Sequence, residues 1–378
     1  AMRITGGKVF SGGAFVEAAV EIADGRIAAL APSQAASAAE GDIDATGCYV
    51  VPGFIDVHFH GCVGADLCDA TGEALRAIAR HEASRGVTAI CPATMTYPEE
   101  LLTSVARTAA AFEPAADEAA LVGINMEGPF ISPDKIGAQN PAYVQRADAA
   151  MLRRIQKEAG GLVKLVDIAP EEPGALEFTA EVADEVRVSL AHTCTDYDTA
   201  RAAFERGARH MTHLYNAMPG LHHRKPGPIA AAWETPEATV ELICDGVHVH
   251  PVMARLTFAL FGAERICLIS DSMRACGLED GTYDLGGQDV TVRGNVATLA
   301  DGTIAGSVTD LAACVRHAVR EMGVPLEDAV LAATLTPARA IGIDAERGSL
   351  EAGKVADMLV LDEDLNVKHV VLRGELLK

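Results

Sequence analysis

The chain has 378 residues, of which 49% are hydrophobic and 22% are charged, and its formal net charge is -22. This charge argues against nucleic acid or an anionic membrane as a partner, and no apolar run approaches the roughly 20 residues that a membrane span needs. The nine cysteines form no Cys-x-x-Cys pair, so we expect reduced thiols. Because the N-terminal residues do not resemble a secretory signal, a cytoplasmic location is expected.

The two ends of the chain read as short strands and turns. Asp24-Gly25 lies between two apolar runs in residues 20–30, which is a strong hairpin signal. Residues 354–377 repeat this pattern, with acidic turns between apolar runs. We therefore expect residues 1–52 and 343–378 to pair in one small β-sandwich domain.

Between the ends, apolar strands alternate with helices. Gly86 and Gly207 lie where helices over 73–85 and 199–206 should stop. Eight strand–helix units favour an α/β fold of the (β/α)8 TIM-barrel type over residues 53–342, with an open doubly wound sheet as the alternative. Residues 282–304 predict an inserted hairpin. The predicted strands are 53–59, 87–94, 121–127, 163–169, 186–192, 209–213, 239–245 and 266–271.

Metal-binding and acid–base residues fall at the C-terminal ends of these strands, which form the catalytic face of such barrels. They are His58, His60, Glu127, His192, His213 and Asp271. His58 and His60 are two residues apart, so we expect both side chains on one face of the strand. Each residue alone commonly has a structural role, but their convergence at one face predicts a divalent metal site.

Imidazole nitrogens and carboxylate oxygens suit zinc, iron or manganese, and zinc is our first expectation. A bound ion would act as a Lewis acid that activates water. A carboxylate that is not a tight ligand can then move the proton, and Asp271 is the natural candidate.

Seven other histidines are expected to have structural or surface roles only. His210 precedes His213 by three residues on the same predicted strand, so we expect its side chain on the opposite face. Lys164 lies early in the fourth strand, where no role is assigned to it. The seven histidines are His81, His210, His222, His223, His250, His317 and His369.

Longer strings carry a resemblance to a known family. His-x-His on strand one, histidines on strands five and six and an aspartate on strand eight are typical of the amidohydrolase superfamily. Within it, the chain resembles the N-acetylglucosamine-6-phosphate deacetylases over nearly its whole length. The strings are VPGFIDVHFHG (51–61), INMEGPFISPDKIGAQNP (124–141), THLYNAMPG (212–220), DGVHVHP (245–251) and ISDSM (269–273).

The resemblance implies a role for each matching residue. Glu127, His192 and His213 would hold the principal metal, Asp271 would be the catalytic acid and base, and His58 with His60 leaves room for a second ion. The residues implied to contact the sugar phosphate are Asn216, Ala217, Arg224 and His248, and those implied to line the substrate are Ala138, Gln139, Ile304, Ala305 and Gly306. Some family members carry histidine where Gln139 stands, so this contact to the acetamide can differ here.

The implied reaction is metal-dependent hydrolysis of the acetamide of N-acetylglucosamine 6-phosphate to glucosamine 6-phosphate and acetate, in amino-sugar catabolism. Family members are usually dimers, which implies a homodimer and leaves open whether Arg224 serves its own or the neighbouring subunit. Two alternatives stay open. One is another amidohydrolase that acts on a different N-acetyl sugar phosphate or a cyclic amide, and the other is a catalytically silent sugar-phosphate sensor.

Overall fold

The N-terminal segment forms six strands of a β domain. The computed structural model describes residues 1–33 and 38–377, so residues 34–37 and 378 of the predicted terminal domain lie outside the described residues. The strands are β1 (Met2–Thr5), β2 (Lys8–Ser11), β3 (Ala14–Ala23), β4 (Arg26–Pro32), β5 (Ile43–Asp44) and β6 (Tyr49–Pro52). Asp24 and Gly25, with φ of 53° and 73°, form the predicted hairpin turn between β3 and β4.

The middle of the chain forms a barrel of parallel strands. Its strands are β7 (Phe54–Asp56), β10 (Val87–Ile90), β11 (Ala120–Leu121), β12 (Ile124–Met126), β13 (Val163–Ile168), β14 (Arg187–Leu190), β15 (His210–Met211), β16 (Thr239–Ile243) and β17 (Ile266–Ile269), while β8 (Gly61–Cys62) and β9 (Ala65–Asp66) form a separate pair. The third position of the barrel is divided between β11, which pairs with β10, and β12, which pairs with β13.

Two contacts join the ends of the parallel sheets. A bridge between Ala93 and Asn125 links the second strand position to β12. The Asp271 amide donates a hydrogen bond to the His58 carbonyl, which brings the last strand beside the first. The predicted barrel is confirmed, and the open doubly wound sheet is excluded because the first and last strands meet.

Ten α-helices lie in the described residues, most of them outside the barrel. They are α1 (Gly72–Ser84), α2 (Glu99–Ala110), α3 (Ala149–Glu158), α4 (Ala175–Val182), α5 (Tyr197–Glu205), α6 (Gly227–Trp233), α7 (Pro251–Phe261), α8 (Leu311–Arg320), α9 (Leu326–Ala332) and α10 (Leu335–Ala340). Helix α1 begins where the Thr71 hydroxyl accepts a hydrogen bond from the Ala74 amide, and it ends just before Gly86, whose φ is 90°. Within the described ranges, none of the helices has the length and apolar character that a membrane crossing requires.

The remaining strands form the insertion and complete the β domain. They are β18 (Gly281–Leu285), β19 (Gln288–Arg293), β20 (Val296–Thr298), β21 (Met358–Leu361), β22 (Val367–Leu372) and β23 (Glu375–Leu376). The insertion is a three-stranded antiparallel sheet, one strand more than the hairpin that the sequence predicted over 282–304. Strand β21 pairs antiparallel with β6, so both ends of the chain share one sheet and one apolar cluster. The domain boundaries after residues 52 and 342 stay a proposal.

One carboxylate is buried in the barrel core without a hydrogen bond. Glu82, on the inner face of α1, is 1% exposed, and neither of its oxygens has a hydrogen-bond partner among the described residues. Burial raises the pKa of Glu82 well above its ordinary value of 4.5, and the charges of Asp56 and Asp310 raise it further. The folded protein therefore holds a proton on Glu82 at a pH where the unfolded chain releases it.

Glu82→Gln is expected to stabilise the fold increasingly as the pH rises above about 5. A carboxyl group with a raised pKa stabilises the folded state at low pH. Between the pKa of Glu82 in the unfolded chain and its higher pKa in the folded protein, the free energy of unfolding of wild type falls by up to about 1.4 kcal/mol per pH unit. Glutamine has no proton to release, so the variant does not show this loss. Urea unfolding at pH 5 to 8 would measure the difference, with Glu73→Gln at an exposed position of the same helix as the control. Parallel pH curves for wild type and Glu82→Gln would contradict this expectation.

Candidate metal centre and active site

The six predicted metal-binding and acid–base residues lie together at the C-terminal end of the barrel. Each one follows its strand by one to four residues, in the segment that leads from the strand towards the next helix. All six are buried, with side-chain positions at the centre of the strand ring. They are His58, His60, Glu127, His192, His213 and Asp271. The structure thus brings together the residues that the sequence predicted to meet, and their roles stay predictions.

Glu127 lies at the centre of this cluster and presents one oxygen to each of two histidine pairs. Its Oε1 is 2.8 Å from His192 Nε2 and 3.2 Å from His213 Nε2. Its Oε2 is 2.9 Å from His58 Nε2 and 3.0 Å from His60 Nε2. Two groups of possible ligand atoms therefore share this carboxylate, and within each group the atoms lie within 4.8 Å of one another.

The outer nitrogen of each histidine in the cluster is held by a hydrogen-bond acceptor. His58 Nδ1 lies 2.8 Å from Glu241 Oε1, and His60 Nδ1 lies 3.1 Å from the Ala93 carbonyl. His192 Nδ1 lies 2.9 Å from the Lys135 carbonyl, and His213 Nδ1 lies 3.1 Å from the Asn216 carbonyl. Because these acceptors have no proton to give, each Nδ1 must carry the hydrogen. When the imidazoles are neutral, the Nε2 lone pairs then face Glu127, as in histidines that ligate a metal through Nε2.

This arrangement fits a divalent cation. Nitrogens and carboxylate oxygens this close need positive charge between them, which either protons on Nε2 or a bound cation can supply. Burial alone would lower the pKa of His60, but its contacts with Asp271 and Glu127 raise that pKa to about 10. The described part of the cluster contains no cysteine, and its nitrogen and oxygen donors suit zinc, iron or manganese.

Asp271 lies at the edge of the cluster, where one of its oxygens has charged contacts but no hydrogen bond. Its Oδ1 is 3.2 Å from His60 Nε2 and 3.4 Å from His58 Nε2, and it has no hydrogen-bond partner among the described residues. Burial raises the pKa of Asp271, but the neighbouring His58 and His60 more than offset this effect and lower it. The carboxylate is therefore ionised at neutral pH, which a general base requires.

Three of the cluster residues have a backbone conformation that is rare outside glycine. His192, His213 and Asp271 have φ of 43°, 22° and 50°. Such strain is found where the surrounding structure holds a functional residue in place. Here it turns each side chain out of the strand direction and towards Glu127.

A cavity of about 440 Å³ opens above the cluster and contains seven of the predicted substrate-binding residues. They are Ala138, Gln139, Asn216, Ala217, His248, Ile304 and Gly306. The Gln139 side chain is already engaged, because its Oε1 accepts a hydrogen bond from the Thr96 amide at 2.7 Å. Its Nε2 lies 3.6 Å from Met95 Sδ, so both polar ends of this side chain contact the protein, and the predicted contact with the acetamide stays a prediction.

Two predicted residues lie outside the cavity lining. Ala305 is fully buried, with its side chain packed in the apolar cluster beneath the inserted sheet, because the chain turns at Gly306 and alternate residues point to opposite sides. Arg224 is exposed on the loop over 220–225, where its Nη1 lies 2.7 Å from His223 Nε2. Within one subunit, Arg224 does not reach the cavity.

Comparison with known proteins agrees with this geometry. Residues 49–377 match the amidohydrolase family. The chain is 38% identical to the N-acetylglucosamine-6-phosphate deacetylase of Bacillus subtilis (strain 168), over 94% of this chain and 92% of that protein. It is 37% identical to the N-acetylgalactosamine-6-phosphate deacetylase of Escherichia coli O157:H7, over 94% of both. The chain belongs to the amidohydrolase family.

A solved structure supports the same assignment. The N-acetyl-D-glucosamine-6-phosphate deacetylase of Mycobacterium smegmatis, in complex with N-acetyl-D-glucosamine-6-phosphate, superimposes with a TM-score of 0.93 at 36% identity and covers 100% of this chain and 99% of that one. The predicted resemblance to the N-acetylglucosamine-6-phosphate deacetylases is confirmed, and this amidohydrolase is an amide hydrolase.

The sequence analysis did not predict a buried pair, Glu241 and His210, that lies behind the histidine cluster of this amidohydrolase. Glu241 lies 2.8 Å from His58 Nδ1 and 2.8 Å from His210 Nε2, and it accepts a hydrogen bond from the His213 amide. Burial raises the pKa of Glu241, but contacts with His58 and His210 lower it to about 2. The sequence feature that could have identified Glu241 is its position in the middle of an apolar strand, TVELI, whose other side chains are buried and uncharged.

The expectation that His210 faces away from the site is wrong. Strand β15 covers only His210 and Met211, and the chain turns before His213, so strand alternation does not carry from one histidine to the other. His210 points into the barrel interior, is fully buried and contacts Glu241.

Two further residues shape the substrate cavity. Asp245 Oδ2 lies 2.7 Å from His248 Nδ1, which leaves the His248 Nε2 for a ligand. Lys135 is the one lysine or arginine among the described residues that lines the cavity. The Lys135 carbonyl accepts a hydrogen bond from His192 Nδ1, and this contact holds the Lys135 backbone beside the cavity. No sequence pattern predicted it.

Proposed function

We propose that this amidohydrolase cleaves the acetamide of N-acetylglucosamine 6-phosphate and releases glucosamine 6-phosphate and acetate, in amino-sugar catabolism. The observation that carries this proposal is the Glu127-centred cluster with Asp271 at the base of a cavity of about 440 Å³. Relatives at 38% and 37% identity are named as deacetylases of N-acetylated sugar 6-phosphates. Acetate release from N-acetylglucosamine 6-phosphate, paired with metal analysis of the same sample, tests it.

The chain's own residues supply the steps around the scissile bond. Glu127, His192 and His213 would hold the principal ion, for which we propose zinc, with iron or manganese fitting the same donors. When bound, the ion supplies a Lewis acid for the amide carbonyl and for water. Asp271 accepts the proton of the attacking water and delivers it to the departing amine nitrogen. His248, oriented by Asp245, would position the sugar.

We expect two metal equivalents per chain at saturation. Glu127 Oε2, His58, His60 and Asp271 form a second group of possible ligand atoms, and the two oxygens of Glu127 can serve two ions. Titration of metal-free protein with zinc would give the stoichiometry, and a His58→Ala/His60→Ala variant should bind one equivalent. His81→Ala, outside the cluster, is the control and should bind as many ions as wild type. One equivalent in wild type would rule out the second ion.

A homodimer would explain how Arg224 reaches the phosphate. A protein with a net charge of -22 repels a dianionic sugar unless a local cation offsets its field. Arg224 is exposed, and α7 presents an apolar stripe of Val252, Leu256 and Leu260, which are 40 to 48% exposed. Such a stripe suits a contact with a second copy of the chain, which would carry Arg224 into the neighbouring cavity.

Arg224→Ala is expected to lower kcat/KM for N-acetylglucosamine 6-phosphate by roughly 10- to 150-fold, because charged hydrogen bonds contribute about 1.5–3 kcal/mol. The value for unphosphorylated N-acetylglucosamine should change little. Steady-state kinetics with both sugars measures the effect, and Lys135→Met tests the cation that already lines the cavity.

Mixed dimers separate the two arrangements of Arg224. If it acts across the interface, Arg224→Ala mixed with Asp271→Asn should regain activity that neither variant has alone. Equal losses of kcat/KM on both sugars would show that Arg224 does not read the phosphate.

A second substrate is favoured by one comparison. The relative at 37% identity is named for N-acetylgalactosamine 6-phosphate, which differs in the configuration of one hydroxyl. The ratio of kcat/KM for the two epimers decides between them, and the absence of acetate release from either would favour a silent sensor.

A further inference from the structure

A second cavity, of about 430 Å³, lies at the opposite end of the barrel from the metal cluster. Four cationic residues line it: Lys164, Arg187, Arg209 and Arg339. The first three lie at the N-terminal ends of β13, β14 and β15, and Arg339 lies in the last turn of α10. From Arg187 to His192 the chain runs along β14 for about 16 Å, so this basic cavity is separate from the catalytic one.

Among the described residues, the four cations of the basic cavity form no ion pair. In the part of the chain that the structure describes, none of the four cations has a carboxylate oxygen within 4 Å. Arg209 Nη1 donates to the carbonyls of Phe204 and Ala208, both at 2.7 Å. The Nε of Arg187 is buried and has no hydrogen-bond partner. Burial lowers the pKa of Arg187, and the positive charge of Arg209 lowers it further; a bound anion would relieve this repulsion.

The acidic residues of the cavity do not change this balance. Asp184 and Glu185 also line it, but Glu185 is already paired with Arg153 at 2.7 Å. One unpaired carboxylate therefore faces four cations. Such a concentration of positive charge stands out in a chain whose net charge is -22.

We propose that the basic cavity is a binding site for a phosphate dianion, either free or carried by a small metabolite. Guanidinium groups bind phosphate with paired hydrogen bonds, and three of them with one lysine match a doubly charged group. A volume of about 430 Å³ lies in the range of small-molecule sites. The site lies outside the catalytic cavity, so the inference holds whichever amide this enzyme cleaves.

The choice of variant follows from the contacts of each cation. Arg187 Nη2 donates to Thr239 Oγ1 at 3.0 Å, Thr239 contacts His210 at 2.6 Å, and His210 contacts Glu241 behind the metal ligand His58. Changing Arg187 would therefore disturb the catalytic cluster as well. Lys164 and Arg339 make no side-chain hydrogen bond to a described residue. Lys164→Met/Arg339→Gln keeps most of the side-chain volume and removes two charges.

Calorimetric titration of the metal-loaded protein with inorganic phosphate at low ionic strength tests the proposal. We expect Lys164→Met/Arg339→Gln to bind phosphate at least tenfold more weakly than wild type, with kcat/KM for the sugar substrate within twofold of wild type. The matched control is Arg293→Gln, an exposed arginine of β19 that lines neither cavity, and it should bind phosphate as wild type does. A parallel titration of wild type and the double variant with glucose 6-phosphate separates the two sources, since binding that is tighter than that of inorganic phosphate and is lost in the double variant indicates a metabolite.

Two results would overturn the proposal. One is the absence of saturable phosphate binding to wild type at millimolar concentration. The other is equal phosphate affinity in wild type and the double variant, which would place the phosphate elsewhere, for example in the catalytic cavity. If wild type released no acetate from N-acetylglucosamine 6-phosphate, the proposed function would be wrong, but neither phosphate-binding result would change.

Discussion

Glu127→Gln is expected to lose bound metal and turnover together. The carboxylate presents Oε1 to His192 and His213 and Oε2 to His58 and His60, so it is the one anion shared by both groups of ligand atoms. Glutamine has the same shape, but it replaces one oxygen with an NH2 group that cannot ligate a cation. The loss of metal affinity should exceed the roughly 10- to 100-fold typical of residues that only support a ligand.

Zinc content after gel filtration and kcat on the same sample would measure this effect. Glu241→Gln provides a graded control, because Glu241 contacts the outer nitrogen of His58 and not the Nε2 cluster. We expect Glu241→Gln to weaken metal binding by about 10- to 100-fold and to retain metal at high concentration. If Glu127→Gln kept full metal occupancy and normal turnover, the assignment of Glu127 as a ligand would be wrong.

Asp271→Asn is expected to retain metal in the group of Glu127, His192 and His213 but to lose kcat by about 10²- to 10⁴-fold. Asp271 is not part of that group of ligand atoms, and its Oδ1 has no hydrogen-bond partner among the described residues. The amide of asparagine can neither accept the proton of water nor return it to the amine. A separate loss of the second ion would show that Asp271 also ligates it.

Single-turnover kinetics and metal analysis distinguish these two effects of Asp271→Asn. Asp289→Asn, an exposed carboxylate on β19, is the control and should leave kcat and metal content unchanged. A kcat for Asp271→Asn within threefold of wild type would remove Asp271 from the proposed mechanism.

The sequence by itself determined the barrel, the terminal β domain and the six residues of the metal cluster. Apolar runs such as Ile266–Ile269 are typical of buried strands, and their repetition with intervening helices indicates the barrel. Because parallel strands end at one face, a residue that directly follows its strand, such as Glu127, is placed at that face by local sequence alone. The hairpin at Asp24-Gly25 is equally local, since it depends on two residues that tolerate positive φ.

The tertiary structure decided which groups share a partner. Glu127 divides its two oxygens between two histidine pairs, and Glu241 joins His58 to His210. Both arrangements depend on distances between strands, which the spacing of residues along the chain does not encode. The same holds for the burial of Ala305 and the exposure of Arg224. The basic cavity brings together Lys164, Arg187, Arg209 and Arg339 from four separate segments, and this concentration of charge arises only because the closed barrel gathers their side chains around one cavity.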